Sequence, residues 1–248
     1  TFTYYNEEPD SEIVFPNSSQ VRSTIPQVDG TASDGKAGVN HVYVSIGEIL
    51  GVTTSYFDGG SFSAATEYFN LTNYELNAST WDYTQAIPYT SGLTYLFRSY
   101  AVDNAGNIEL SRSAQVAVQY DVTKPTGAIT TPVQSTYRSE MALMTWSAFD
   151  LTAGLAAIPS DSVQIRVLEY GGDWWGGTSF NQADSGSAWR NANAGSPAAW
   201  NYSDVLISNQ LVSGTTYLVQ LRGKDQAVPP NIGPSSDGND SNFTLGVD

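Results

Sequence analysis

Trp81-Asp82-Tyr83, Gly92-Leu93-Thr94-Tyr95 and Asp103-Asn104-Ala105-Gly106-Asn107 return later in the chain as Trp200-Asn201-Tyr202, Gly214-Thr215-Thr216-Tyr217 and Asp225…Asn231. Three signals in one order, repeated about 120 residues apart, mean two copies of one domain. Other stretches fall into the same alignment. Ile13-Val14-Phe15-Pro16 corresponds to Ile129-Thr130-Thr131-Pro132, and Thr31-Ala32-Ser33-Asp34 to Ser147-Ala148-Phe149-Asp150. Val42-Tyr43-Val44-Ser45-Ile46 corresponds to Val163-Gln164-Ile165-Arg166-Val167, and Tyr56-Phe57-Asp58-Gly59-Gly60-Ser61-Phe62 resembles Trp174-Trp175-Gly176-Gly177-Thr178-Ser179-Phe180. The alignment drifts by a few residues around 153–161, as an insertion in a loop would make it.

The matched segments alternate. Val42, Val44 and Ile46 point one way, Tyr43 and Ser45 the other. Tyr95, Phe97, Ser99 and Ala101 share a face, as do Tyr217, Val219, Leu221 and Gly223. Period two over five to eight residues, punctuated by Gly, Asn, Asp and Pro, reads as half-buried strands. No convincing helical stripe exceeds two turns. Many short strands in each copy predict an all-β chain of two antiparallel sandwiches. The boundary falls at Tyr120-Asp121-Val122-Thr123-Lys124-Pro125, giving repeats over 1–121 and 122–248. Residues 1–5, Thr-Phe-Thr-Tyr-Tyr, alternate like an edge strand. They predict an extra strand within 1–8, belonging to a preceding copy or donated to a neighbour's sheet through Phe2 and Tyr4. A start in the middle of such a strand is expected of a processed product or a piece of something longer.

Composition narrows the function. The chain of 248 residues has no cysteine, which excludes disulfides and thiolate metal sites, and one histidine, His41. That makes a Ser-His-Asp arrangement improbable and rules out a His-rich metal centre. No acid among the 25 Asp and Glu stands out in an aromatic cleft, and the glycines lie between strands rather than before helices. The chain is therefore read as non-catalytic. Ten Lys and Arg give a net charge of −15, which disfavours nucleic acid and anionic membranes as partners. Such a surface either stays solvated or takes a hard cation such as Ca²⁺ as counter-charge. No apolar run is long enough to span a bilayer.

In Leu211-Val212-Ser213-Gly214-Thr215-Thr216-Tyr217 the Leu can plug a core, the Gly permits a tight bend and the Tyr hydroxyl can bond backbone at the corner. Tyr89 stands where Leu211 does in the first copy. This is the tyrosine corner of immunoglobulin-like and fibronectin-type sandwiches. With Ala101-Val102-Asp103-Asn104-Ala105-Gly106-Asn107, Gly30-Thr31-Ala32-Ser33-Asp34 and Asp121-Val122-Thr123-Lys124-Pro125-Thr126, the chain resembles the tandem bacterial immunoglobulin-like (fibronectin III-like) repeats of cell-surface and secreted proteins. The second copy departs from that pattern at Asp225-Gln226-Ala227-Val228-Pro229-Pro230-Asn231, which predicts a loop of different shape.

The resemblance implies an extracellular or cell-surface module that spaces, projects, adheres or assembles, with neighbouring repeats or copies of itself as partners. Some such repeats bind Ca²⁺ at loops. The candidate oxygen ligands here are Asp34, Asp103, Asn104, Asn107, Glu109 and Asp121, then Asp150, Asp225 and Asn231 in the second copy. The competing reading is that these Asp and Asn close turns through side-chain-to-backbone bonds. Two further readings are carried: a filament subunit joined by strand addition, and a carbohydrate-binding module. In the latter, Trp174 and Trp175 form a stacking platform for surface glycans, with Trp189 close and Asp173 and Asn181 bonding hydroxyls. Asn-x-Ser/Thr stretches begin at Asn17, Asn70, Asn77, Asn201, Asn239 and Asn242.

Overall fold

Alternation becomes burial in the second strand of each core pair: along Thr94–Asp103 every other residue, from Tyr95 to Asp103, is buried. A computed structural model describes residues 3–155, 162–196, 199–233 and 241–245 of the chain. They form two compact units, Thr1–Val122 with Ala227–Pro229, and Thr123–Gln226 with Pro230–Asp248.

The first unit contains β1 (Asp10–Phe15), β2 (Gln20–Arg22), β3 (Val28–Ser33), β4 (Val39–Leu50), β5 (Thr53–Phe57), β6 (Phe62–Ala64), β7 (Phe69–Leu71), β8 (Asn73–Glu75), β9 (Thr80–Tyr83), β10 (Thr94–Asp103) and β11 (Val116–Tyr120). One sheet has the order β1-β3-β9-β8. The other runs β2-β11-β10-β4-β5-β6, with β7 also pairing β4. All pairs are antiparallel except β2 with β11. Ile13, Val28, Ala32, Trp81 and Tyr83 from the first sheet and Val42, Val44, Ile46, Phe57, Tyr95, Phe97 and Val118 from the second make one core. This is the two-sheet immunoglobulin-like order, with strands added beyond the third on the larger sheet.

The second unit repeats it with β12 (Thr126–Thr131), β13 (Thr136–Arg138), β14 (Leu143–Phe149), β15 (Val163–Glu169), β16 (Trp174–Trp175), β17 (Phe180–Gln182), β18 (Arg190–Asn191), β19 (Ala194–Ser196), β20 (Ala199–Ser203), β21 (Thr216–Gly223) and β22 (Ser241–Leu245). Its sheets are β12-β14-β20-β19 and β13-β22-β21-β15-β16-β17, and β18 pairs β15 as β7 pairs β4. The register shift between Ile13 and Phe15 in β1 returns between Ile129 and Thr131 in β12. Met144, Trp146, Val163, Ile165, Val167, Trp175, Trp200, Tyr217 and Val219 form its core. The chain is thus all-β, two immunoglobulin-like sandwiches in tandem.

Both corners are tyrosine corners. The Tyr95 hydroxyl accepts from Thr90 N at 2.6 Å and donates to Glu48 Oε2 at 2.8 Å; the Tyr217 hydroxyl accepts from Val212 N at 2.7 Å. Burial, reinforced by Glu48, pushes the Tyr95 phenol up to about 12. Gly92 and Gly214 turn the chain at φ of 91° and 79°, a conformation that suits glycine. Leu211 packs against the core as the alignment predicts, and Tyr89 takes its place between Tyr95 and Tyr120.

One element has no counterpart in the alternation. The helix α1 (Val205–Gln210) enters ahead of the second corner, capped by Asp204, whose Oδ1 accepts from Leu206 N at 2.9 Å. It contributes the fully buried Ile207 to the core. A helix of six residues with one buried side chain has no stripe for a periodicity scan to find.

Candidate functional site

The loops that gather the acidic candidates are closed on themselves, and the closure is the same in both units. Asp34 Oδ1 accepts from the backbone N–H groups of Lys36 (3.0 Å), Ala37 (2.6 Å) and Gly38 (2.8 Å). Asp150 Oδ1 accepts from those of Thr152 (2.9 Å), Ala153 (2.7 Å) and Gly154 (3.1 Å). One carboxylate oxygen satisfies three consecutive donors at the turn that follows β3 or β14.

The loop after β10 is clasped by an Asp–Asn pair. Asp103 Oδ1 accepts from Asn107 N at 2.7 Å and Oδ2 from Asn107 Nδ2 at 2.7 Å; the Asp103 N–H donates to Asn107 O. Burial works to raise the Asp103 carboxyl, but the bonds from Asn107, Ala105 and Gly106 outweigh it and hold the group below its usual range. Asp225 and Asn231 make the same clasp, Oδ1 to N at 2.8 Å and Oδ2 to Nδ2 at 2.7 Å. The second loop is two residues longer and carries Pro229 and Pro230, so its path differs as its sequence predicts. The longer path leaves the clasp at its base intact.

The other candidates are engaged as well. Asn104 Nδ2 donates to Ala37 O (3.0 Å) and Gly38 O (2.9 Å), which ties two loops of the first unit together. Glu109 is buried, with Oε2 accepting from Ala101 N at 2.8 Å. The fully buried Asp121 accepts from Ser91 Oγ at 3.0 Å. In the second unit one carboxylate oxygen each of Asp150 and Asp225 lie within 4.8 Å of one another. Asp150 Oδ2 is shielded from solvent and has no hydrogen-bond partner among the described residues. Two carboxylates so placed have the chemistry of a hard-cation site.

Trp174 and Trp175 do not share a surface, which corrects the expectation of a paired platform. Successive residues of a strand point to opposite faces. Trp175 therefore enters the core, 1% exposed and packed on Phe180, while Trp174 stays half-buried on the outer face. There the Arg166 guanidinium lies 4.2 Å from the Trp174 ring and 4.4 Å from that of Trp189, and Arg222 lies 4.3 Å from Trp189. Cations thus occupy ring faces that a sugar would use. The first unit has its own outer cluster: Tyr43 stacks on Tyr100 at 4.9 Å, and Arg112 sits 4.3 Å over Phe69. The sequence suggests that Trp189 lies near Trp174; the arginines over them, and the whole of the first unit's cluster, come from segments far apart in the chain and were not legible.

Among the described residues the N-terminal stretch joins no sheet of its own chain. Phe2 lies outside the described residues. Tyr4 is 74% exposed, and residues 3–9 form no strand. Instead Tyr5 O accepts from Asn107 Nδ2 at 3.3 Å and Glu8 Oε2 from Leu110 N at 2.9 Å. The lone histidine, His41, is exposed on β4 beside Tyr43. Among the described residues no helix is long and apolar enough to cross a membrane.

No protein-family model and no curated protein matches the chain. Among solved structures it is similar to a two-domain fibronectin type-III segment of chicken tenascin, at 8% identity and a TM-score of 0.29, over 96% of this chain and 99% of that one. It is similar to a tetra-tandem repeat from the extending region of a large adhesion protein, at 12% identity and a TM-score of 0.34 over 96% of this chain. A third is a structure from a 1.5-MDa bacterial ice-binding adhesin, at 13% identity and a TM-score of 0.35 over 97% of this chain. The chain spans 49% and 66% of the lengths of the latter two.

Proposed function

We propose that this chain is a non-catalytic extracellular module whose tandem immunoglobulin-like repeats space, project or join parts of a microbial surface structure. One observation carries the reading. One carboxylate oxygen of Asp34 and of Asp150, and both oxygens of Asp103 and of Asp225, close loops, and the same closures recur in both copies. A catalytic site needs poised, unspent groups. A repeated scaffold needs loops that hold their shape. Antibody labelling of intact source cells, paired with a broad hydrolase screen of the purified chain, tests it. Labelling without permeabilisation and no turnover is the expected result. Label that requires permeabilised cells, or turnover abolished by changing one carboxylate, overturns the reading.

The pairing of Asp150 with Asp225 and the unpartnered Asp150 Oδ2 favour a structural Ca²⁺ in the second unit. A bound ion stabilises the folded state by mass action, so the expected outcome is a melting temperature that falls on adding EGTA and returns with excess Ca²⁺. Melting indifferent to both removes the ion.

A further inference from the structure

The Asn-x-Ser/Thr stretches become unequal once folded. Asn70 is 7% exposed, its Nδ2 donates to Phe57 O at 3.0 Å, and Thr72 of the same stretch is buried with its hydroxyl on Val42 O. A sugar there would break the bond and open the core. Asn201 is half-buried in β20, flanked by β14 and β19. Asn242 lies on β22 opposite Leu218, and Asn239 lies outside the described residues. Asn17 is exposed, but its carboxamide is held at both ends: Nδ2 donates to Val14 O and Oδ1 accepts from Arg22, each at 3.3 Å.

Asn77 differs from Asn17, Asn70 and Asn201. It sits in the turn joining β8 to β9, where Ala78 N donates to Glu75 O at 3.1 Å. Every residue from Glu75 to Thr80 is exposed, Ser79 of the stretch included. The Asn77 carboxamide makes no hydrogen bond among the described residues, so a substituent on its nitrogen displaces nothing. The hairpin is at the rim of the smaller sheet, with β8 the outermost strand.

We infer that Asn77 is an N-glycosylation site, an inference that rests on the extracellular reading above. The donor class is an oligosaccharide linked through its anomeric carbon to a polyisoprenoid diphosphate. The bond from that carbon to the phosphate oxygen breaks, a bond to Asn77 Nδ2 forms, and the amide gives up one proton as the lipid diphosphate leaves. Nothing is oxidised or reduced. A glycan at this place also shields an outermost strand, where unpaired backbone groups invite association with other sheets.

The test uses protein from its own source cells. Intact cells are treated with a membrane-impermeant biotinylation reagent. The captured protein is digested, and peptides covering residues 70 to 79 are fragmented by electron transfer so that each asparagine is read separately. Biotinylated protein with a sugar mass on Asn77 and none on Asn70 is expected. Asn77→Gln and Ser79→Ala are each expected to abolish that mass while leaving the circular dichroism and melting curve unchanged. Biotinylated protein with bare Asn77, or with the sugar on Asn70 instead, overturns the site and leaves the extracellular reading standing. Protein that is neither biotinylated nor glycosylated overturns both.

Discussion

At the scale of single residues, Trp174 and Trp175 are neighbours in the chain with opposite jobs. Trp175 is in the core, where removing a large aromatic ring leaves a cavity as well as lost burial. Trp175→Ala should cost about 3–5 kcal/mol of unfolding free energy. Trp174→Ala removes a half-buried ring from a cation–π stack and should cost about 1 kcal/mol. Urea titration of the two variants checks this, and equal losses would mean that the pair is not split between faces. Which tryptophan faces inward was implicit in the strand's period of two. The alignment places Phe57 opposite Trp175, and Phe57 is also fully buried. What stayed hidden was complementarity between distant strands. Ser11 and Ser99 share a buried hydrogen bond of 2.9 Å across the first sandwich. The aligned pair in the second unit is Gly127 and Leu221, where a Cβ on the glycine would come within 2.8 Å of Leu221 Cδ2. A polar pair and a volume-matched apolar pair solve one packing problem, and neither residue reveals its partner alone.

At the scale of elements, the stretch between β10 and β11 shows how a strand is finished by side chains. Opposite the end of β10, Glu109 N donates to Ala101 O while Glu109 Oε2 accepts from Ala101 N. Ser113 N donates to Ser99 O while Ser113 Oγ accepts from Ser99 N. Two side chains stand in for a ladder that β11 begins only at Val116. The sequence marks Glu109 as a possible ion ligand; the fold uses it as backbone. Burial raises its carboxyl above the ordinary 4.5, with Asp10 nearby adding to the effect. Its contribution to stability is therefore fully present below pH 4.5 and is lost as pH rises through the folded value. Glu109→Gln keeps an acceptor for Ala101 N and has no such loss. The stability of the variant relative to the parent should rise as pH goes from 4.5 to neutral, measured by urea unfolding across that range. A difference that does not change with pH would refute the assignment. The comparison is best made above pH 4.5, because Asp58, held at about 2 chiefly by the Ser63 hydroxyl and by backbone N–H groups, and Asp103 lose their contributions at lower pH.

At the scale of the whole molecule, the repeat was the most legible feature because it needs no physics beyond counting; it implies that the two units share one strand order, and the order itself comes from the structure. Duplication has an energetic meaning. Each unit buries its own aromatic centre: Trp81, Tyr95 and Phe97 in one, Trp146, Trp175, Trp200 and Tyr217 in the other. Stability in such arrays is approximately a sum over repeats, so a lesion in one core should stay in that core. Trp81 makes the sharpest probe. It is 1% exposed, its Nε1 donates to Thr31 O at 3.1 Å, and its ring covers Gly30 so closely that a Cβ there would fall 2.5 Å from it. Trp81→Ala should remove about 3–5 kcal/mol from the first unit, lowering its calorimetric transition by on the order of 10 °C or more. The transition of the second unit should hold its place, and Trp200→Ala should reverse the pattern. Both transitions moving together in either variant would mean one cooperative body, and building a longer array by adding copies would then lose its thermodynamic basis.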